Sequence, residues 1–523
     1  MTSISGGGIS RRTLLGAGGA AALALGLGAC SSGNSAGSFS SGAASGPARK
    51  GGVLRIARPP ASSGELLDPA SSLSAYEYLG ALYNRLVRRG ASGETVADLA
   101  TQWEPNADAT QWTFRLRQGV TFHNGKPFTS ADAAYTIKHI LDPDTASPQA
   151  GVLSIVDPAA ITTPDDHTLV VGLKTPHAEF PTLLTHYNCY VIPDGSAASI
   201  GRTGIGTGPF ALKSFTPAAQ GEVTANPDYF GGRPTLDGIV FSAIADVQAR
   251  VNALLAKQVD VLAQTPLDHA NAKAVQAGAD ATVTEIENAQ INVLPMLTTA
   301  APFTDVRVRQ AFKLAYDPAS VLTVAAQNYG TVAHDNPVVP DDPYYADYAV
   351  ESDPDKARWL LKQAGAENLR LDLYTSNYQS GFTPLALAFK ASVARAGITL
   401  DVKNAPSDSY YTKVWMKRPL CVSYWYTGRG IDQLLNEYFG SGSSYNETAW
   451  KDSTMDNMLG AARREVDEAK RKQLYQDAQK YVVDNSGLLV PFFGSRLTGL
   501  SKQVVNYAED GFEFDYQNIG LKA

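Results

Sequence analysis

Cysteine is scarce in this chain: three residues in 523, at Cys30, Cys189 and Cys421. A chain of this length buries a large core without cross-links, so Cys189 and Cys421 read as small buried side chains. A basic excess is also missing. Lys and Arg number 44 against 51 Asp and Glu, a net charge of −7, which removes the electrostatic footprint of a nucleic-acid binder. Beyond the N-terminal leader no stretch of 18 uncharged apolar residues occurs. Enzyme signatures are lacking too: no Gly-x-Ser-x-Gly elbow at a strand-to-helix turn, no His-Glu-x-x-His and no Walker loop. The seven histidines are scattered. His186 and Cys189 have a chelating gap but no second pair at ligand spacing, so no metal site is expected. Gly206-Thr207-Gly208-Pro209-Phe210-Ala211 matches a dinucleotide fingerprint only in letters, because Pro209 and Phe210 lead into a strand rather than a helix.

What is present begins with the leader. Arg11-Arg12 precedes an uncharged Gly/Ala/Leu-rich run from Leu14 to Ala29, which ends in Leu27-Gly28-Ala29-Cys30. A charged start, a short apolar run and small residues before a cleavage point make a secretory signal. The run is short for a bilayer span, which needs about 20 apolar residues. Leu27–Cys30 resembles a bacterial lipobox, which implies a lipid on Cys30, and the twin arginine resembles a Tat signal with Leu14-Leu15 after it. From Ser31 the chain is Gly/Ser-rich as far as Pro47. Such a tether of roughly 15–20 residues has an r.m.s. reach of about 20–25 Å. The expectation is an exported, membrane-anchored protein.

The body alternates strand and helix patterns, the mark of an α/β architecture. Gly51–Ala57, Trp112–Leu116, Val120–His123, His167–Leu173, Gly238–Phe241 and Val259–Leu262 read as strands. Ser130–Asp132 starts a helix stopped by Pro143; Asp246 and Asp305 start two more. Asp353-Pro354 opens another, with Gly365 after its last turn. Leu369–Tyr374, a helix over Leu385–Ala396 capped by Gly397, and Ile398–Val402 form a βαβ unit. A long charged helix is predicted around Met455–Val483, and Leu488–Phe493 follows as an apolar closing segment.

The densest polar-aromatic cluster lies between Trp415 and Trp450. Alternation puts Cys421, Ser423 and Trp425 on one strand face and Val422, Tyr424 and Tyr426 on the other. The row reads equally as core or as ligand wall. The loop after it, Gly428-Arg429-Gly430-Ile431-Asp432, offers a cation and an anion at a strand end, where α/β sheets favour ligands. Arg429 and Asp432 could also simply pair with each other.

The ordered motifs across the body resemble the family 5 extracellular solute-binding proteins, the peptide, opine and nickel class of ABC importers. They are Leu99–Pro105, Thr113–Gly125, Gly206–Phe210, Asn226–Phe230 and, most specifically, Pro302–Ala311. The resemblance implies an α/β, two-lobed fold of the periplasmic binding protein type II-like kind (cluster C), with an extra subdomain inserted in lobe I. It divides the chain into signal 1–30, linker 31–50, lobe I 51–67, inserted subdomain 68–199, lobe I 200–289, lobe II 290–489 and a lobe I return 490–523. It implies no enzyme and no cofactor or metal, but capture of a small solute, most naturally a peptide or amino-acid-derived compound, for an ABC permease. The protein would act as a monomer held to the membrane by lipid on Cys30. Trp425, Arg429 and Asp432 are the leading ligand contacts, with Trp425 stacking, Arg429 holding an anion and Asp432 an amine; Tyr426, Tyr445 and Asn446 complete the set. A sensing or scaffolding lipoprotein, and an exported hydrolase, are the alternative classes.

Overall fold

The computed structural model describes residues 45–61, 64–90, 93–510 and 513–523. The leader, Cys30 and the tether up to residue 44 lie outside the described residues. Residues 48 and 49, assigned from sequence to the linker, form the strand Ala48–Arg49, which pairs antiparallel with Gly520–Lys522.

The fold is α/β and two-lobed. Its main sheet runs in the order Ser423–Tyr426, Ala281–Pro295, Leu488–Ser501, Val261–Leu262, Val53–Arg58, Gly238–Ala243, Gln220–Ala225, Phe210–Phe215. Val53–Arg58 lies parallel to both Gly238–Ala243 and Val261–Leu262. It forms because its apolar residues pack on both faces: Leu54, Ile56 and Ala57 are fully buried. Leu54 and Ile56 join Tyr78, Phe210, Ile239 and Phe241 in the core of the first lobe. A separate four-stranded antiparallel sheet, Ala100–Pro105, Gln111–Leu116, Thr168–Leu173 and Val156–Asp165, packs Phe114 and Leu169 against Ile137 of the helix Ser130–Leu141.

Two long strands pass between the lobes. Ala281–Pro295 and Leu488–Ser501 pair antiparallel from Ala281 opposite Ser501 to Pro295 opposite Leu488. The ladder is interrupted between Ile286 and Gln290, where Asn288 takes a left-handed backbone at φ 50°. Beyond that bulge the second lobe begins. Arg370–Ser376 and Thr399–Ala405 are parallel around the helix Phe382–Val393, as the βαβ pattern requires. Single bridges, Tyr374 to Cys421 and Met296 to Leu420, tie this pair to the crossing strands.

The family motifs serve the fold. Gly206 and Gly208 press against the Leu82 backbone, where a Cβ on Gly206 would stand 2.0 Å from the Leu82 carbonyl oxygen. The Gly208 N–H donates to that oxygen at 2.9 Å, and His123 Nε2 reaches the Gly208 carbonyl at 3.0 Å, so two distant motifs meet. In Pro302–Ala311, Arg309 donates to the carbonyls of Phe303 and Asn485, and nearby Lys313 donates to that of Leu488. Both cations satisfy carbonyls where a helix gives way to a crossing strand.

Several expectations are corrected. Val120–His123 is not a strand but a tight turn with one bridge, Thr121 to Pro127. The cap of Ser130–Leu141 is Thr129, in a reciprocal capping box with Asp132. Only Val261–Leu262 pairs in its segment. The single charged helix is two, Ser453–Arg464 and Glu468–Asn485, because Asp467 caps the second by accepting from the Lys470 N–H. Cys189 and Cys421 are buried and free, as read from the sequence. Among the described residues no helix is long and apolar enough to cross a membrane.

Candidate functional site

A cleft of about 760 Å³ opens between the lobes, within the usual range of small-molecule sites. The first lobe contributes Arg58, Tyr76, Arg85, Arg89, His186, Tyr187 and Gln264; the second contributes Asn292, Tyr329, Gln379, Tyr426, Arg429 and Phe492. The crossing strands form its back, where Asn292 lies opposite Phe492 in register. Tyr76 meets Tyr187 edge to face at 4.9 Å between ring centroids, and Tyr426 meets Tyr424 at 5.2 Å. Tyrosines supply apolar faces with polar tips, suited to a solute that carries both kinds of surface.

The sequence-predicted residues divide. Tyr426 and Arg429 line the cleft. Arg429 stacks over Trp425 at 5.5 Å, donates from Nη1 to the Tyr426 carbonyl at 2.6 Å and pairs through Nε with Glu437 at 2.8 Å. The internal Arg429–Asp432 pair weighed from sequence does not form. Trp425 does not face the cleft. Strand alternation turns it inward onto Tyr438, and its indole N–H donates to Glu447 at 2.8 Å. Glu447 also accepts from Trp415 at 2.6 Å, and burial pushes its carboxyl up to about 6 against these hydrogen bonds. Tyr445 is exposed beside Trp425 but off the cleft. Asn446 is buried and bridges its own loop, donating to the Trp450 carbonyl at 2.8 Å and accepting from the Thr448 hydroxyl at 3.0 Å. The aromatic cluster is therefore mostly core.

Asp432 is also off the cleft, and its carboxylate is fully engaged. It accepts from His177 Nε2 at 3.2 Å, from Arg463 Nη2 at 3.1 Å, from the Tyr475 hydroxyl at 3.2 Å and from Asn436 at 3.0 Å. His177 Nδ1 accepts the Glu179 N–H at 3.2 Å, which leaves Nε2 as the donor toward Asp432. Burial would raise the Asp432 pKa, but the His177 hydrogen bond and the Arg463 charge hold it down to about 2. His177 belongs to the first lobe, so this is a polar bridge across the cleft mouth. The Ala178 N–H extends it to the Arg463 carbonyl at 2.7 Å. Glu179 adds a hydrogen bond from Tyr344 and an ion pair with Arg471 at 3.6 Å.

Residues the sequence reading missed include Tyr76, Arg85, Arg89, Tyr187, Gln264, Tyr329 and Gln379. They come from six places in the chain, and only Arg85 and Arg89 lie close together in it. The one local hint is Arg88-Arg89-Gly90 ending a short strand. His186 and Cys189 do not chelate: the His186 ring accepts the Asn188 N–H, and Cys189 Sγ donates to the Leu183 carbonyl. Among the described residues no cluster could hold a metal ion.

Comparison with known proteins places this geometry. Residues 94–447 match the family described as bacterial extracellular solute-binding proteins, family 5 (middle). The chain is 28% identical over 460 residues to di/tripeptide-binding protein 2 of Pseudomonas aeruginosa, covering 80% of this chain and 85% of that one. It superposes on the ABC transporter substrate-binding protein CtaP of Listeria monocytogenes with a TM-score of 0.80, at 20% identity over 91% of this chain and all of that one. HbpA2 of Haemophilus parasuis gives 0.78, at 22% identity over 90% of this chain and 100% of the other. These last two establish the fold.

Two outcomes follow from the bridge. Asp432→Asn keeps the shape and removes the charge that Arg463 faces; truncating one member of such a pair costs about 2–5 kcal/mol. The variant should open the lobes, read as a larger radius of gyration by small-angle scattering of ligand-free protein; an unchanged radius would make the bridge passive. Closure should also depend on pH through Glu179. Burial first, then the charges of Asp432 and Asp342, lifts its carboxyl from 4.5 to about 7 against the Tyr344 hydrogen bond and the Arg471 charge. An acid that titrates higher when enclosed takes up a proton on closing, so this contribution is complete below 4.5, weakens as pH rises and is gone above about 7. The closed fraction should fall across that window in wild type and not in Glu179→Gln.

Proposed function

Because the chain belongs to the family 5 bacterial extracellular solute-binding proteins, we propose that its cleft takes peptides or peptide-like, amino-acid-derived solutes. The protein captures a small solute between two lobes for an ABC importer. The observation that carries the peptide reading is the composition of the cleft: four tyrosines with Asn292, Gln264 and Gln379 around about 760 Å³. Amide side chains pair with backbone N–H and C=O groups, and the rings accept varied side chains. The di/tripeptide-binding relative from Pseudomonas aeruginosa supports the same class. Tyr426 and Arg429 are the ligand contacts retained from the sequence reading; Trp425 supports Arg429 from behind.

Division of the chain at 67, 199, 289 and 489 into lobe I, inserted subdomain, lobe I, lobe II and lobe I return fits this reading, with the bulge at Ile286–Gln290 as the hinge. The protein acts as a monomer that docks on permease subunits. Leu27-Gly28-Ala29-Cys30 supports anchoring by lipid on Cys30 after export under a Tat-like leader. A diacylglyceryl group provides the two chains that stable membrane retention requires.

Denaturing the purified protein should release small peptides or amino-acid derivatives, identified by mass. Adding them back should raise the melting temperature and reduce the radius of gyration. Release of sugars or metal chelates alone would overturn the peptide reading. Cys30→Ser should shift the protein from the membrane fraction to the soluble one, and unchanged retention would remove the lipid anchor.

A further inference from the structure

The charges lining the cleft are unequal. Five arginines, Arg58, Arg85, Arg89, Arg429 and Arg496, face it with one acid, Asp268. The Asp268 carboxylate caps the helix His269–Ala277, its Oδ1 accepting the Asn271 N–H at 2.8 Å, and it is the one negative charge set against the five lining arginines. No other carboxylate lines the cavity to receive a solute ammonium group.

The arginines differ in what holds them. Arg58 has the buried Glu65 at 2.6 Å, and Arg496 is paired with Glu509. At the end near Gly428 the balance changes. Arg429 spends Nε on Glu437 and Nη1 on the Tyr426 carbonyl. Arg89 Nη1 is buried without a hydrogen-bond partner among the described residues. A methyl placed on Gly428 would come within 3.8 Å of that nitrogen, so the two lobes approach each other here. Gly428 sits at φ 96°, a conformation that keeps the spot free of a side chain. His186 lines the same end; burial first, then the charges of Arg429 and Arg85, lower its pKa to about 3. The nearby acids do not line the cleft: Asp98 accepts from Asn84 and the Arg85 backbone N–H, and Asp342 accepts from the Tyr344 N–H while the Arg89 charge offsets its burial.

An unpaired buried guanidinium N–H is costly, and a carboxylate is its best acceptor. We infer that the cleft selects a solute by a carboxylate seated between Arg89 and Arg429 at Gly428, and requires no free amino group. This rests on the cleft being the solute site and narrows the peptide class to acids, including N-blocked ones.

Four probes test it by calorimetry: dialanine, N-acetyl-dialanine, dialanine amide and glutarate. N-acetyl-dialanine should bind at least as well as dialanine, and dialanine amide about tenfold or more weakly. Arg89→Met should erase that difference while the ligand-free protein, which loses the charge offsetting the burial of Asp342, still melts cooperatively. Amide binding equal to or tighter than that of the N-acetyl form would overturn the proposal and leave the peptide reading standing. Binding of glutarate alone would keep the carboxylate seat and remove the peptide reading. Binding of none of the four, or an unchanged preference in Arg89→Met, would overturn the assignment.

Discussion

The antiparallel pairing of Ala281–Pro295 with Leu488–Ser501 is the constraint on which the rest of the molecule depends. Each strand lends residues to both lobes: Leu500 packs with the first-lobe core and Phe493 with a second-lobe core. A strand shared by two cores cannot slip register, since a shift of one residue would turn every side chain to the wrong face. The ladder is irregular at two places, between Ile286 and Gln290 and between Asn292 and Leu294, and the second lies at the back of the cleft, where Asn292 stands opposite Phe492. The irregularities and the floor of the site are thus parts of one ladder.

Closing the cleft and recognising its contents use different residues. The bridge from His177 and Glu179 to Asp432, Arg463, Arg471 and Tyr344 is built from residues that do not line the cavity. Its contacts from His177 to Asp432 and from Ala178 to Arg463 join the lobes whatever the solute, enclosure of a charged Glu179 opposes closing, and a ligand shifts the equilibrium only by its differential affinity for the closed form. Separation of the two tasks lets the lining vary without loss of closure.

Much of the fold was legible in the sequence, because helix caps and strand alternation are local. Asp305, Asp353-Pro354 and Gly397 mark helix ends where the structure has them, and Arg370–Ser376 pairs parallel with Thr399–Ala405 as the pattern demands. Errors arose where a local signal had a non-local owner. Asp432, read from sequence as part of a strand-end loop, lies in the first turn of the helix Ile431–Phe439, and its partners are His177, Arg463 and Tyr475, far away in the chain. Trp425 shared its strand with Tyr426, and only the positions of Glu447 and Tyr438 decide which ring turns inward. Arg89 carries only the faint mark of Arg88-Arg89-Gly90 at a strand end: its significance is an unfilled hydrogen bond at Nη1 among the described residues, visible only in the folded protein.

The family relationship fixes the architecture, and the charge pattern gives the cleft its particular character. Carboxylates behind the arginines, Glu65, Glu437 and Glu509, hold guanidinium groups in place without occupying the cavity. A guanidinium so held presents its remaining N–H groups with little further loss of side-chain freedom, which lowers the cost of binding an anion. Closure then removes water, and the same N–H groups act in a medium where each interaction with charge is stronger. A cationic solute would meet that rise in field as repulsion, since five lining arginines stand against one lining acid, Asp268. Enclosure itself sharpens selectivity by charge, and the lining arginines set its sign.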